Sequence, residues 1–159
     1  TGKVVNEKRE FKMGVDQEGR PGYLMWWHPN FTIFHKDDHT FFRHLVLLWW
    51  WFSDMLSKHY KWYGNIQRCQ RTQRKRRQPP NFFCISCVPW MDFTGYSTWV
   101  PTGRPNLFPI ITFGKYVEEE GRRKLSAALT ISHASADGYH ASMFFERLQE
   151  VLDEFVIDQ

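Results

Sequence analysis

The stretch ISHASADGYH, residues 131–140, holds the residue types that proton transfer requires: His133 stands four residues ahead of Asp137, with Gly138 next to it. An imidazole titrates close to neutral pH, so modest desolvation keeps it uncharged with a lone pair ready to accept a proton. Gly138 allows a tight turn, and Asp137 can anchor that turn through an ion pair. By itself the H-x-x-x-D-G spacing fits a general base and a strand-end histidine alike. A second pattern, the C-x-x-C of Cys84 and Cys87, is a spacing used by metal and redox sites. It lies in an apolar, strand-like run, where residues three apart point to opposite faces, so both thiols read as packing groups. No metal is expected, because a four-ligand zinc site needs further Cys or His at matching spacing. His28 and His35 flank PNFTIF and read as strand and turn residues, and His140 reads as a packing residue of the following helix.

The elements that must position His133 are legible on both sides of it. In LSAALTISH, alternation places Leu125, Ala127, Leu129, Ile131 and His133 on one strand face, so His133 continues an apolar row and is expected to be partly desolvated. Residues Leu107 to Val117 and Lys124 to Ser132 read as two strands joined by EEEGRR, a hairpin loop. NFFCISCVPW reads as a strand buried on both faces, and these three strands are expected to form the sheet. From Tyr139 to Phe155, Met143, Phe144, Leu148, Val151, Leu152 and Phe155 repeat at the spacing of one helical face. Near the start, EFKMGVDQEGRPG reads as strand, turn, strand. YLMWWHPNFTIFH follows as a strand interrupted, or placed at an edge, by Pro29. In KDDHT, Asp37, Asp38 and Thr40 are all N-capping types, which predicts a helix from about Thr40 to Tyr63. A solvated loop, IQRCQRTQRKRRQPPN, comes after it.

The chain has 159 residues, of which 42% are apolar and 18% aromatic, and reads as a single globular domain over residues 1–159. Its formal charge of +4 is concentrated in one run, Arg68 to Arg77, six of whose ten residues are basic. Such a run is a solvated loop or a phosphate contact; a nucleic-acid partner is not expected. Three cysteines do not suit a disulfide framework, and with no secretory signal pattern the cytoplasm is the expected setting. The longest apolar run, Leu45 to Phe52, has eight residues where a membrane span needs about 20, so no membrane partner is expected.

PIITFGKYVEEEGRRKLSAALTISHASADGYHASMFFERLQEVLDEF resembles the C-terminal part of the chloramphenicol acetyltransferase family, where a strand carrying H-x-x-x-D-G leads into an amphipathic helix. NFFCISCVPWMDFTGY resembles the family strand that ends in a serine, two residues and Pro-Trp, and EFKMGVDQEG and HPNFTIFH resemble its earlier hairpin. Order and motifs match over nearly the whole chain except Leu45 to Pro80. The resemblance implies an α/β fold, a mixed sheet flanked by helices, and direct acetyl transfer from acetyl-CoA to a hydroxyl of chloramphenicol or a related small-molecule acceptor. It makes His133 the general base and Ser86 the oxyanion donor; Thr112 would hold a nearby water, and Asp137 would steady the histidine loop through an arginine. It also implies a homotrimer, with His133 of one chain facing Ser86 and Thr112 of the next.

Several features depart from the family pattern. The long segment that opens family members, and carries the arginine expected to meet Asp137, has no counterpart here, so the chain reads as N-terminally truncated; TGKVVNEKRE corresponds to the end of that segment's second helix. Ser132 stands where the family has a first histidine, and STWV after Tyr96 replaces an Asn-Leu-Asn run that shapes the acceptor pocket. The run LVLLWWWFSDML is apolar on all sides, unlike the family's polar amphipathic helix. Two other readings stay open: a lipoyl-dependent acyltransferase core of the same fold, and an inactive truncated relative or binding module that acts through the basic run.

Overall fold

The computed structural model describes residues 1–16, 18–45, 79–98 and 106–155, with Phe42 and His44 described by their backbone alone. The chain starts with a short helix, α1 (Gly2–Glu7), and a 3-10 turn (Arg9–Lys12). A small antiparallel ribbon of β1 (Met13–Val15) and β2 (Pro21–Tyr23) follows, the expected strand, turn, strand. The main sheet is built from β3 (His28–His35), β4 (Thr40–Leu45), β5 (Phe82–Cys87), β6 (Ile110–Glu119) and β7 (Arg122–Thr130). A final helix, α2 (Gly138–Asp153), closes the described chain.

The strand order is β4-β3-β5-β6-β7, with β3, β5 and β6 mutually parallel and the outer strands β4 and β7 antiparallel to their neighbours. The sheet is therefore mixed and has five strands rather than three. Pro29 sits inside β3, but the antiparallel ladder with β4 starts only at Asn30 opposite Leu45, so the missing N–H costs that ladder nothing. The β6–β7 hairpin turns at Glu120 and Gly121, which both have positive φ, the conformation that two-residue hairpin loops demand.

The helix predicted from Thr40 is corrected: residues 40–45 are β4, paired along their whole length with β3 from Asn30 to His35. The capping residues serve a turn instead, with Asp38 Oδ1 accepting from the Thr40 backbone N–H at 3.1 Å and from its hydroxyl at 2.6 Å. The rest of that predicted helix, the apolar run and the basic run lie outside the described residues.

One face of the sheet is packed by the helices. Phe83 and Ile111 meet Phe144 and Leu148 of α2 and Val4 and Val5 of α1, with Phe11 edge-on to Phe144 at 5.3 Å. Burying side chains of this size contributes roughly 1.5–3 kcal/mol each. Leu152 and Phe155, expected on the same helical face, are exposed. Two polar clasps tie α1 down. The Asn6 amide donates to the Trp27 carbonyl and accepts from the Trp27 N–H at 3.0 and 2.8 Å, while Arg147 of α2 donates to both Glu7 oxygens.

Candidate active site

Ser86 and Thr112 face each other in register on the parallel strands β5 and β6, and Thr112 pairs in turn with Ala128 on β7. On the other side Thr32 of β3 donates its hydroxyl to Ser86 Oγ at 2.9 Å, and Thr32 is in register with Arg43 of β4. Paired residues share a face, so Arg43, Thr32, Ser86, Thr112 and Ala128 form one row across all five strands. The row lies on the face turned away from the helices, because Ile85 and Ile111, the alternate residues, pack toward the core. Thr112 is only 1% exposed and Ser86 is half-buried. Because Ser86 accepts from Thr32, its own O–H proton is left to donate to another oxygen. Thr32 is a residue that sequence reasoning passed over; strand alternation from Phe34 and Asn30 carries no signal for a hydroxyl contact across strands.

The next row along the same face is aromatic. Phe34 and Phe41 are paired across β3 and β4 with ring centroids 5.1 Å apart, and Trp90 meets Phe34 edge-on at 4.8 Å. The segment after Ser86 is pinned to β6 by the Val88 N–H to Phe113 and the Lys115 N–H to the Met91 carbonyl, at 2.8 and 2.7 Å. Gly114 permits that approach, since a Cβ there would stand 3.0 Å from the Met91 carbonyl oxygen and from the Phe93 ring.

Cys84 is buried and Cys87 exposed, on opposite faces of β5 as their spacing requires. Burial pushes the Cys84 thiol up, and the positive charge of Arg43 acts in the opposite direction. Among the described residues no group of His, Cys, Asp or Glu is arranged to hold a metal ion.

His133 does not end a strand. β7 stops at Thr130, and His133 falls in a turn where it is exposed in the single chain. Ser132, in the place of the family's first histidine, organises that turn: its hydroxyl accepts from the Ala134 N–H at 3.2 Å and its carbonyl from Ser135 and Ala136. Of the apolar row that leads to His133, Leu129 and Ile131 pack against the core while Leu125 at its start is exposed. His133 lies five residues past Ala128, the β7 member of the Ser86 row, a displacement of up to roughly 16 Å along the strand direction. The fold thus sets Ser86 and Thr112 side by side in the sheet, while His133 lies in the turn past the end of β7.

Asp137 caps α2. It accepts from the His140 backbone N–H at 3.1 Å, and its Oδ1 lies 2.6 Å from His140 Nδ1, a capping box with histidine in the reciprocal place. These two hydrogen bonds from His140, the backbone one first, hold the Asp137 carboxyl below the usual carboxylate range. The expected arginine partner is not found among the described residues; His140 takes that place and is more than a packing group. The far ring nitrogen of His140 faces Glu10 at 3.9 Å.

A mixed sheet backed on one face by helices is the architecture of a class of acetyltransferases. Among solved structures, a chloramphenicol acetyltransferase matches with a TM-score of 0.76 at 21% identity, over 94% of this chain and 72% of that one. A truncated catalytic core of the 2-oxoacid dehydrogenase multienzyme complex from Thermoplasma acidophilum matches with a TM-score of 0.68 at 14% identity, over 96% and 69%. Both likenesses concern the fold. Sequence similarity goes further, because the chloramphenicol acetyltransferase family profile matches residues 1–149. A chloramphenicol acetyltransferase of Clostridium butyricum is 35% identical over 96% of this chain and 69% of its own length. One from Campylobacter coli is 30% identical over 95% and 73%. The chain belongs to the chloramphenicol acetyltransferase family, a family of O-acetyltransferases.

Proposed function

We propose that this chain transfers acetyl from acetyl-CoA directly to a hydroxyl of chloramphenicol or a related small-molecule acceptor, in the cytoplasm and as a homotrimer with its sites between subunits. The observation that carries the reading is the Ser86 hydroxyl, supplied with a hydrogen bond by Thr32 and standing in register beside Thr112. His133 of the adjoining chain takes the proton of the acceptor hydroxyl as its oxygen attacks the thioester carbonyl. Acetyl-CoA supplies the activated acetyl group. Ser86 donates a hydrogen bond to the oxyanion that forms, Thr112 holds a water beside it, and Asp137 steadies the loop that carries His133. When the carbonyl re-forms, the carbon–sulfur bond breaks and the thiolate recovers the proton from the imidazolium, so the ester and free CoA leave a neutral site. The exposed position of His133 in one chain, beyond the sheet end from Ser86, supports a site completed by a second copy.

The test is an acetylation assay on chloramphenicol and a panel of other alcohols, with His133→Ala as the comparison. Loss of about 100-fold to 10,000-fold in kcat is expected. Undiminished turnover in the variant would end the general-base role. The fold likeness to the 2-oxoacid dehydrogenase core favours a second reading, an acyltransferase acting on a lipoyl thiol. Turnover of dihydrolipoamide in the same assay, with chloramphenicol left untouched, would select it.

A further inference from the structure

We infer that His140 is a positioning residue of the proposed reaction: its ring holds the Asp137 carboxylate, and through Asp137 it fixes the turn that carries His133. This deepens the acetyl-transfer reading and rests on it. Asp137 Oδ1 lies 2.6 Å from His140 Nδ1 and also accepts from the His140 backbone N–H at 3.1 Å. The first contact settles which way the ring works, because an ionised carboxylate has no proton to give and a nitrogen so close to it must donate one. Nδ1 therefore carries the hydrogen. The Asp137 backbone N–H approaches the same nitrogen at 3.4 Å and is the weaker claimant on it. A glutamate in this place, as in the usual capping box, would set two carboxylates against each other. Histidine gives the cap a second donor instead.

Between His133 and the cap the chain is already pinned. Ser135 and Ala136 donate their N–H groups to the Ser132 carbonyl at 2.9 and 3.1 Å, and Ala136 is buried in the core. What is left to Asp137 is the direction in which the chain leaves this turn, with an extended backbone at φ −105° and ψ −173°, before it enters α2. Without the ring, one hydrogen bond still caps the helix but the exit from the turn is less defined. A general base displaced by about 1 Å can cost up to about 100-fold in rate, so a small loss of definition here reaches the chemistry. Glu10 faces the other ring nitrogen at 3.9 Å, beyond hydrogen-bond reach, so it lends charge and not direction.

The experiment follows chloramphenicol acetylation in His140→Leu, His140→Asn and Glu10→Gln. Leu fills the space without a donor, whereas Asn sets an amide nitrogen where Nδ1 stands. In His140→Leu kcat is expected to fall about 10-fold, short of the limit for a misplaced base, with both KM values little changed. His140→Asn is expected to recover most of that loss, and Glu10→Gln to leave turnover nearly intact. Because the ring acts through Asp137, the double variant Asp137→Ala with His140→Leu is expected to be no slower than Asp137→Ala alone. Nitrogen-15 spectra of the His140 ring supply a readout independent of turnover: Nδ1 is expected to be protonated at neutral pH. An Asn variant as slow as Leu, losses that multiply in the double variant, an effect confined to KM, or a bare Nδ1 would each overturn the inference. Wild-type protein that acetylates no alcohol would remove the acetyl-transfer reading itself, a result distinct from variants that all turn over alike.

Discussion

A serine hydroxyl both accepts and donates, and its neighbours decide which capacity is left for a reacting group. Ser86 receives a hydrogen bond from Thr32 at 2.9 Å, so in the proposed reaction its proton is oriented outward before any substrate arrives. Preorganised donors of this kind matter most as charge develops on the oxygen, where one is worth about 2.7–4 kcal/mol. Thr32 touches no reacting atom and acts through Ser86, so its effect belongs in turnover rather than in binding. Replacing Thr32 with Val keeps the shape and removes the donor; kcat is expected to fall about 10-fold with KM for both substrates little changed. Thr32→Ser restores the hydroxyl and is expected to recover most of the loss. Steady-state kinetics on the two variants checks this, and a Val variant that raises KM at constant kcat, or a Ser variant that recovers nothing, would show that the residue only fills space.

At the scale of elements, the loop bearing His133 is held at its far end by the cap of α2. Asp137 prefers its ionised form in the folded chain, because the His140 backbone N–H and ring both bond to the carboxylate. A depressed carboxyl stabilises the fold fully above its unfolded pKa, about 3.9, and that stabilisation is lost as pH falls through the lower folded value. The groups that face this cap are His140 itself and, across from α2, Glu10. The protection of the His140 amide relative to the free-peptide exchange rate at each pH, followed by NMR, is therefore expected to be high at neutral pH and to fall below about pH 4. In Asp137→Ala it is expected to be low throughout; equal protection in the two proteins would deny the cap any role. The two elements that flank this loop, the β6–β7 hairpin and α2, were plain in the sequence, because strict alternation, a Glu-Gly turn and a repeated 3, 4, 7 spacing are local signals. β4 was not, since Asp37, Asp38 and Thr40 cap helices and close turns equally well. Only pairing with the preceding strand, from Asn30 to His35, settles TFFRHL as a strand. α1 is too short, at six residues, to display a helical period. The Asp137 to His140 pairing was hidden because capping boxes are sought with Glu or Gln in the third place.

For the whole molecule, the sequence motif names a histidine and a serine, and one folded copy leaves them apart. His133 is exposed past the end of β7, while Ser86 sits in the middle of the sheet on the face away from the helices. No local pattern could reveal that separation, which depends on the strand order. The same copy leaves apolar surface uncovered: Tyr116 and Leu125 face each other across β6 and β7 with half or more of each exposed, and Met25 beside the β1–β2 ribbon is 84% exposed. Surfaces of that kind suit association with further copies. In the proposed trimer each site takes its base from one chain and its hydroxyl from the next, a head-to-tail arrangement that closes as a ring. Two inactive variants should then repair each other. If His133→Ala and Ser86→Ala chains are unfolded together in equal amounts and refolded, about one quarter of the sites pair an intact base with an intact donor. Activity near that fraction of wild type is expected from the mixture, against near zero from either variant refolded alone. A mixture no more active than its components would mean that each chain completes its own site, and the division of labour between copies would have to be abandoned.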